Sequence, residues 1–284
     1  MTASPLEIRT MSEADLVLAL TWAKEEGWNP GLEDLEPYRA ADPGGFFMAW
    51  NEGEPVSCIS AIRYGETYGF IGFYICRPEH RGKGYGMSIW DHGIKHLEGR
   101  TIGLDGVVAQ QDNYRESGFE FAHRTLQQSG LSMVDTPMDS RLCTLGQGIF
   151  PSIWDYDRAF VPAERTDFLK LWCAPMLDTR RGFAFVEDGT VKGYGVIRQC
   201  HDGFNIGPLF ADTPEIADTL FRALAGQVKG QTIHLNTPET NQAALALAER
   251  YELSPSFEAA RMYKGPAPDL PLDKTFGTTT FELG

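Results

Sequence analysis

The order of apolar and polar positions predicts alternating strands and helices in the first 130 residues. Residues 67–76 are rich in aromatic and β-branched side chains, and this run is too short to cross a membrane, so it predicts a buried strand. Residues 88–97 carry apolar side chains at helical spacing, namely Ile89, Trp90, Ile94 and Leu97. The segment between these two runs is therefore predicted to be a strand-to-helix junction.

Similar patterns predict the neighbouring elements. Ser12 and Asp15 have the spacing of a capping box, so a helix is expected to follow a short strand at residues 6–10. The remaining segments are a short helix at 32–41, strands at 46–50, 55–64 and 101–108, a short helix ending near 119, and a last strand. The predicted order is strand, helix, helix, three strands, helix, strand, helix, strand.

The junction has the chemistry of an anion site. Gly82, Gly84 and Gly86 stand at alternate positions, which lets the backbone curl and turn several amide N–H groups towards one point. The positive end of the following helix faces the same point, and Arg81 and Lys83 add charge. Together these features predict a ligand that carries phosphate.

The spacing narrows the choice of ligand. Neither the Walker loop nor the dinucleotide fingerprint fits these glycines. The pattern Arg-Gly-x-Gly-x-Gly after a strand and a proline turn resembles the coenzyme A pyrophosphate loop of the GNAT N-acetyltransferase superfamily. A plain glycine-rich turn is the alternative for the motif alone, but the element order and the Tyr-x-x-x-Gly-Phe ending at residues 114–119 extend the resemblance over about residues 5–130.

The resemblance implies where acetyl-CoA would bind. The backbone of Ile75 and Cys76 would pair with the pantetheine arm, in the manner of an added strand. The pyrophosphate would be held by the backbone amides of the loop, which are those of Arg81, Gly82, Lys83, Gly84, Tyr85 and Gly86. No metal is expected.

The resemblance also suggests catalytic residues. Tyr114 occupies the position of the tyrosine that reprotonates the departing thiolate in many family members, and the alternative is a core aromatic that closes the helix against the sheet. Asp105 lies on the strand beside the expected cleft and is the preferred candidate for the general base. A structural carboxylate is the alternative for Asp105, and many relatives use a water chain instead.

Three further positions bear on this site. Val107 stands where family members commonly carry an asparagine that helps to hold the cofactor, and the nearby Asn113 is not assigned to the site. Trp28 and Asp34 lie in the segment that commonly forms the acceptor wall in this fold, so both are candidates for substrate contact. A structural turn and a surface charge are the alternatives for these two residues.

The chain contains an internal repeat. Residues 99–105 recur as residues 230–236, and residues 61–63 recur as residues 196–198. Because the two similarities have nearly the same offset, they predict two tandem copies of one fold. The fold class is therefore mixed α+β, with two GNAT-like domains that each contain a mixed, centrally splayed sheet flanked by helices.

The second copy lacks the chemical residues. Residues 207–215 replace the glycine loop, and Thr213 with Pro214 predicts an ordinary helix start there. Asp212 and Glu215 put negative charge where a diphosphate would lie. Ala248 replaces the tyrosine, so the second copy is predicted to be a degenerate domain.

These patterns divide the chain into four parts. Residues 1–130 are the predicted catalytic domain, residues 131–150 a linker and residues 151–265 the degenerate domain. Residues 266–284, called the tail below, are expected to pack near the active cleft and help to enclose the amine site. The alternative is that the tail packs only as an extra strand.

Composition limits the partners. The 284 residues are 42% hydrophobic and 23% charged, which is typical of a globular protein long enough for two domains. A net charge of −14 argues against nucleic acid and an anionic membrane as partners. The first ten residues lack an apolar signal segment, and the five cysteines are an odd number without a Cys-x-x-Cys pair, so a cytoplasmic protein with reduced thiols is expected. It is expected to be a monomer or a homodimer.

The expected activity is acetyl-CoA-dependent N-acetylation of a primary amine by direct attack in a ternary complex. A small-molecule acceptor is favoured over a protein. The alternative is a non-catalytic acyl-CoA-binding regulatory module on the same fold. Nothing in the sequence identifies the acceptor.

Overall fold

The computed structural model describes residues 6–173 and 178–284. Residues 1–5 of the predicted catalytic domain and residues 174–177 of the predicted degenerate domain lie outside the described residues. The elements of the first half are β1 (Glu7–Thr10), α1 (Glu13–Glu25), α2 (Leu35–Ala41), β2 (Phe46–Asn51), β3 (Glu54–Tyr64), β4 (Tyr68–Cys76), α3 (Tyr85–His96), β5 (Thr101–Val107), α4 (Gln111–Glu116) and β6 (Glu120–Leu131).

The second half repeats this order and adds a short strand in the tail. Its elements are β7 (Leu142–Thr144), α5 (Phe150–Asp157), α6 (Thr166–Trp172), β8 (Arg180–Glu187), β9 (Thr190–Gln199), β10 (Phe204–Ala211), α7 (Pro214–Ala225), β11 (Thr232–Pro238), α8 (Gln242–Arg250), β12 (Ser254–Lys264) and β13 (Thr275–Gly277). Strand β7 lies inside the segment that the sequence predicted to be a linker, and it pairs with β8.

All described strands belong to one mixed sheet of thirteen strands. The order is β1-β2-β3-β4-β5-β12-β6-β11-β10-β9-β8-β7, and β13 pairs with β10. Strands β4 and β5 are parallel, as are β10 and β11, and the other pairs are antiparallel. Each strand of the first half has a counterpart in the second half. When every strand is replaced by its counterpart, the order read from one edge of the sheet equals the order read from the other edge. The predicted mixed fold of two tandem copies is therefore confirmed.

The two halves exchange strands at the centre of the sheet. Strand β12 of the second half lies between β5 and β6, with Arg261 opposite Asp105, and β6 of the first half pairs with β11 along its length. Each half therefore completes the sheet of the other. The sequence pattern gave no sign of this exchange.

Three apolar clusters cover the sheet, and the largest spans both halves. In it, Tyr38 stacks on Trp172 with ring centroids 6.3 Å apart and meets Phe73 edge-on at 5.8 Å. These rings are buried and come from different halves of the chain. The hydrophobic effect therefore holds the halves together on this face, in addition to the strand pairing within the sheet.

Candidate active site

A cleft opens where β4 separates from β5. The two strands are paired from Tyr68 with Thr101 to Ile71 with Leu104, and no pairing continues beyond this point. Phe73 follows with a positive φ of 46°, in a stretch where the register with β3 also shifts. Such a backbone is uncommon for a bulky residue and bends the strand away from its neighbour. The resulting cleft has a volume of about 410 Å³.

The predicted phosphate loop lies at one end of this cleft. A 3-10 turn at Pro78–His80 leads to Gly82 and Gly84, whose φ angles are 75° and 88°, and α3 begins directly afterwards. A Cβ atom added at either glycine would meet no atom within 4 Å, so the backbone is open on that side. Since the first amides of a helix have no partner within the helix, this open backbone is a suitable surface for an anion.

The two basic side chains of the loop are in different environments. The Arg81 guanidinium donates hydrogen bonds to the carbonyl oxygen of Cys76 at 2.9 Å and to Glu26 at 2.6 Å. These contacts join the loop to the end of β4 and to α1. Lys83 is exposed. Ile75, Cys76 and Arg81 line the cleft, whereas residues 82–86 of the predicted loop follow Arg81 in the chain and are not part of the lining.

Tyr114 reaches the cleft from α4. Its ring is 8% exposed, lies 5.5 Å from the ring of Trp90 and occupies the space that a Cβ would need at Gly106. Burial, with a smaller contribution from Tyr74, raises the pKa of Tyr114 to about 12. The hydroxyl is therefore protonated at neutral pH. The structure gives Tyr114 both the packing role and the cleft position that the sequence offered as alternatives.

Asp105 lines the cleft but is held by an ion pair. Its two carboxylate oxygens accept hydrogen bonds from Nε and Nη2 of Arg261 at 2.8 and 2.7 Å, and its side chain is fully buried. Both carboxylate oxygens are therefore engaged by one guanidinium in a bidentate, charge-assisted pair. This geometry favours the structural alternative for Asp105. The sequence gave no sign of its partner.

The two candidates for the acceptor wall differ. Trp28 lines the cleft. Asp34 does not, and it is completely buried between Arg180 and Arg198 at 2.9 and 3.1 Å. Burial raises the pKa of Asp34, but the two guanidinium groups outweigh it and leave the pKa lower than usual. The expectation of a surface charge at Asp34 is therefore wrong, since the charge is compensated from the second half of the chain.

The tail supplies part of the cleft wall. Phe281 and Glu282 line the cleft, and the carbonyl oxygen of Glu282 occupies the space that a Cβ would need at Gly72. The tail is anchored by hydrogen bonds from Tyr64 to the carbonyl oxygen of Leu283 at 3.0 Å and from Arg165 to Thr279 at 2.9 Å. Sequence reasoning placed the tail near the cleft but did not select these two residues.

The equivalent space in the second half is filled. Strand β13 of the tail pairs with β10 where β10 leaves β11, and the backbone of Thr279 packs against Gly207, the counterpart of Gly72. The start of α7 is capped by Thr213, which accepts a hydrogen bond from the amide of Ile216. Asp212 accepts hydrogen bonds from Tyr156 and Lys274. The predicted helix cap is confirmed, and the tail fills the space between β10 and β11.

Metal clusters and long apolar helices are absent from the part of the chain that the structure describes. No group of three or more His, Cys, Asp or Glu side chains there is arranged to hold a metal ion. None of the described helices is long and apolar enough to cross a membrane.

Comparison with protein families gives two matches, which together cover most of the chain. Residues 14–119 match a model described as the acetyltransferase (GNAT) family. Residues 153–277 match a model described as an acetyltransferase (GNAT) domain. The two matches correspond to the two halves of the repeat.

Similar proteins cover nearly the full length. A holothin acyltransferase from Pseudoalteromonas sp. (strain SANK 73390) is 29% identical over 266 residues, which are 93% of this chain and 89% of that protein. The crystal structure of a putative acetyltransferase from Pyrococcus horikoshii superimposes with a TM-score of 0.83 at 20% identity, covering 100% of this chain and 98% of that one. A tandem GNAT protein from the clavulanic acid biosynthesis pathway gives a TM-score of 0.62 at 13% identity, with 93% and 100% covered.

Proposed function

Because the chain belongs to the GNAT acetyltransferase family, as a tandem member, we propose that it is an acetyl-CoA-dependent N-acetyltransferase. The acetyl group goes to a primary amine, which attacks directly in a ternary complex. A small-molecule acceptor is favoured. The similarity to a holothin acyltransferase supports transfer of an acyl group.

One observation supports the proposal most directly. Each half has a splay point, where two parallel strands separate: β4 from β5 in the first half and β10 from β11 in the second. The tail fills the second splay point, while the first stays open. The open one leads directly to the glycine loop, whereas the filled one ends at a helix capped by its own threonine. A ligand-binding function is therefore supported in the first half and disfavoured in the second.

The residues around the open cleft fit coenzyme A. The bare backbone at Gly82 and Gly84, the first amides of α3 and the charge of Lys83 suit the diphosphate, and the freed edge of β4 at Ile75 and Cys76 suits the pantetheine arm. When bound, acetyl-CoA supplies the activated thioester. The protein has to align the amine, stabilise the developing oxyanion and manage two protons.

Tyr114 suits one of the two proton transfers. Its buried hydroxyl keeps its proton at neutral pH and lines the cleft, so it can protonate a leaving thiolate. The backbone amide near Cys76 is the proposed donor to the oxyanion, because β4 has no partner strand on the cleft side there. Neither role requires a metal.

The test is a thiol-release assay of the full chain with acetyl-CoA and a panel of polyamines, amino acids, aminoglycosides, aromatic amines and peptides. We expect release of the free thiol that depends on at least one amine, together with binding of coenzyme A in calorimetry. Binding without turnover on any amine would instead support the acyl-CoA-binding module. No binding at all would contradict both functions.

A further inference from the structure

Three acidic residues line the cleft, and the carboxylates of two of them are already paired. Glu26 forms an ion pair with Arg81 at 2.6 Å, beside the phosphate loop. Asp105 is held at both oxygens by Arg261. Glu282 differs, since no cationic side chain among residues 6–173 and 178–284 lies within ion-pair distance of it. It is therefore the cleft carboxylate with the greatest freedom to accept a proton.

Glu282 lies at the end of the cleft where β4 and β5 separate. Its backbone crosses β4 at Gly72, one residue beyond the last pair between β4 and β5. The phosphate loop lies at the other end, beyond Cys76, which is four residues along β4 from Gly72, a separation of at most about 13 Å. A thioester arm that enters from the loop along β4 would bring its reacting end towards Glu282.

The surroundings of Glu282 favour a strong base. The side chain is 5% exposed, and Tyr38 donates a hydrogen bond to Oε2 at 3.2 Å. Burial raises the pKa of Glu282, and Asp34 raises it further, whereas Arg198 and the hydrogen bond from Tyr38 oppose the rise without cancelling it. The charged and titratable groups that face it are therefore Tyr38 and Asp34 from the α2 region, Arg198 from β9 and Cys200 just after β9. A carboxylate with a raised pKa accepts a proton more readily once it is ionised.

Aromatic side chains surround the same end of the cleft. Phe281 meets Phe257 edge-on, with centroids 5.7 Å apart, and Phe257 is 38% exposed although it lines the cleft. Trp28 lines the cleft as well. The cleft of about 410 Å³ is shared by the thioester arm and the acceptor, which favours a compact acceptor. Phe257 is exposed and the rings of Phe281 and Trp28 are half-buried, and aromatic surfaces of this kind suit a flat apolar body.

We propose that Glu282 is the general base of the reaction and that the acceptor is a compact amine with a flat apolar body. The inference rests on the proposed function. The amine nitrogen forms a bond to the thioester carbonyl carbon, and the carbon–sulfur bond breaks with its electron pair remaining on sulfur. The proton lost by the nitrogen goes to Glu282, and Tyr114 supplies a proton to the sulfur.

The test compares Glu282→Gln with Glu258→Gln, whose side chain is exposed outside the cleft. We expect Glu282→Gln to reduce kcat by about 100-fold or more, as is typical for loss of a general base, while coenzyme A binding in calorimetry is unchanged. The acidic limb of the wild-type pH–kcat profile should disappear in this variant. Glu282→Asp keeps the carboxylate and should recover part of the rate, which a merely space-filling role would not predict.

Outcomes against the inference are distinct from failure of the proposed function. If the wild type turns over and Glu282→Gln keeps its rate and its acidic limb, Glu282 is not the base, although the enzyme assignment stands. If the wild type releases no thiol with any amine, the proposed function fails, and the role of Glu282 fails with it. Should Glu282→Gln not fold, a Glu282→Leu variant that folds, has wild-type kcat and keeps the acidic limb of the pH profile would still contradict the proposal.

The proposed class of acceptor is tested separately, by the KM values of a variant at Phe281. Phe281→Ala should raise the KM for flat aromatic amines about 10-fold or more, because a contact worth at least 1.4 kcal/mol is lost, and leave the KM for acetyl-CoA unchanged. A wild-type preference for long aliphatic polyamines over aromatic amines would overturn this part of the proposal.

Discussion

The carbonyl oxygen of Glu282 packs directly against the backbone of Gly72, at the point where β4 leaves β5. The repeat contains a second example, since Thr279 packs against Gly207 where β10 leaves β11. The tail therefore crosses both splay points in succession. It fills the cleft of the second half and forms a wall in the cleft of the first.

The contact at Gly72 predicts that a single methyl group there displaces the tail. Gly72→Ala would place a Cβ onto the carbonyl oxygen of Glu282, and such overpacking costs about 1–3 kcal/mol. We expect a lower thermal midpoint and a large fall in kcat, with coenzyme A binding retained. Gly148→Ala is the control, because a Cβ there meets no atom within 4 Å. Equal activity in the two variants would contradict a role for the tail in the reaction.

The phosphate loop predicts a loss of binding at Gly84. Gly84→Ala forces a residue with a Cβ into a left-handed backbone, which costs about 1–2 kcal/mol and shifts the amides at the start of α3. We expect the Kd for coenzyme A, measured by calorimetry, to rise at least tenfold. Gly189→Ala carries the same kind of strain, at a φ of 73°, in a turn of the second half. It should lose similar stability and bind coenzyme A normally, and equal weakening in both would refute the loop assignment.

Tyr114 is tested by removing only its hydroxyl. Tyr114→Phe keeps the ring against Gly106 and should therefore keep its stability, while kcat falls about 100-fold or more because the thiolate loses its acid. Since the pKa of Tyr114 is about 12, deprotonation of this group should not limit the wild type between pH 6 and 9. Tyr74→Phe removes another hydroxyl that lines the cleft. A larger effect there would make Tyr74 the acid.

Local chemistry explains what the sequence could predict. The strand, the loop glycines and the helix after them follow from side-chain pattern and backbone preference over about twenty residues, so the sequence predicts the turn at Gly82 and Gly84 and the start of α3. The repeat and the loss of the loop at Thr213 also depend on local sequence.

Long-range pairing explains which features could not be predicted from the sequence. Whether β12 pairs with β5 or stays in its own half depends on residues 156 positions apart, of which Asp105 and Arg261 are an example. Asp34 looked like a surface charge because its partners lie more than 140 residues away. Glu282 belongs to the same class, since Tyr38 is 244 residues distant.

The exchange of strands pairs Asp105 with Arg261, so replacing Asp105 is expected to cause a large loss of stability. Asp105→Asn leaves the guanidinium of Arg261 buried without its counter-charge, which costs about 3–5 kcal/mol of unfolding free energy. Asp112→Asn breaks an exposed ion pair with Arg115 and should cost less than about 1 kcal/mol. Urea unfolding measures both. A stable Asp105→Asn variant that loses turnover would instead make Asp105 the general base.

The pairing of β6 with β12, where the two halves exchange strands, predicts that stability depends on pH through His123. Burial lowers the pKa of His123 to about 4, and the neighbouring Arg261 contributes by repelling the imidazolium. In the unfolded chain the pKa is about 6.5, so between pH 6.5 and 4 the unfolded state binds the additional proton. Stability therefore falls as the pH decreases through this window, by about 1.4 kcal/mol per unit from this group, and the contribution is constant below pH 4.

His123→Gln tests this dependence directly. Urea unfolding at pH 4.5 and 7 should show a smaller difference for the variant than for the wild type, whereas His201→Gln, at an exposed histidine, should change it little. Because His123 lies opposite Arg261 in the exchanged strands, acid should separate the pairing of β6 with β12 before it affects the edges of the sheet. Hydrogen exchange at pH 4.5 should therefore show early loss of protection in β6 and β12. If β1 and β7 lose protection first, the exchanged strands are not the acid-sensitive part of the fold.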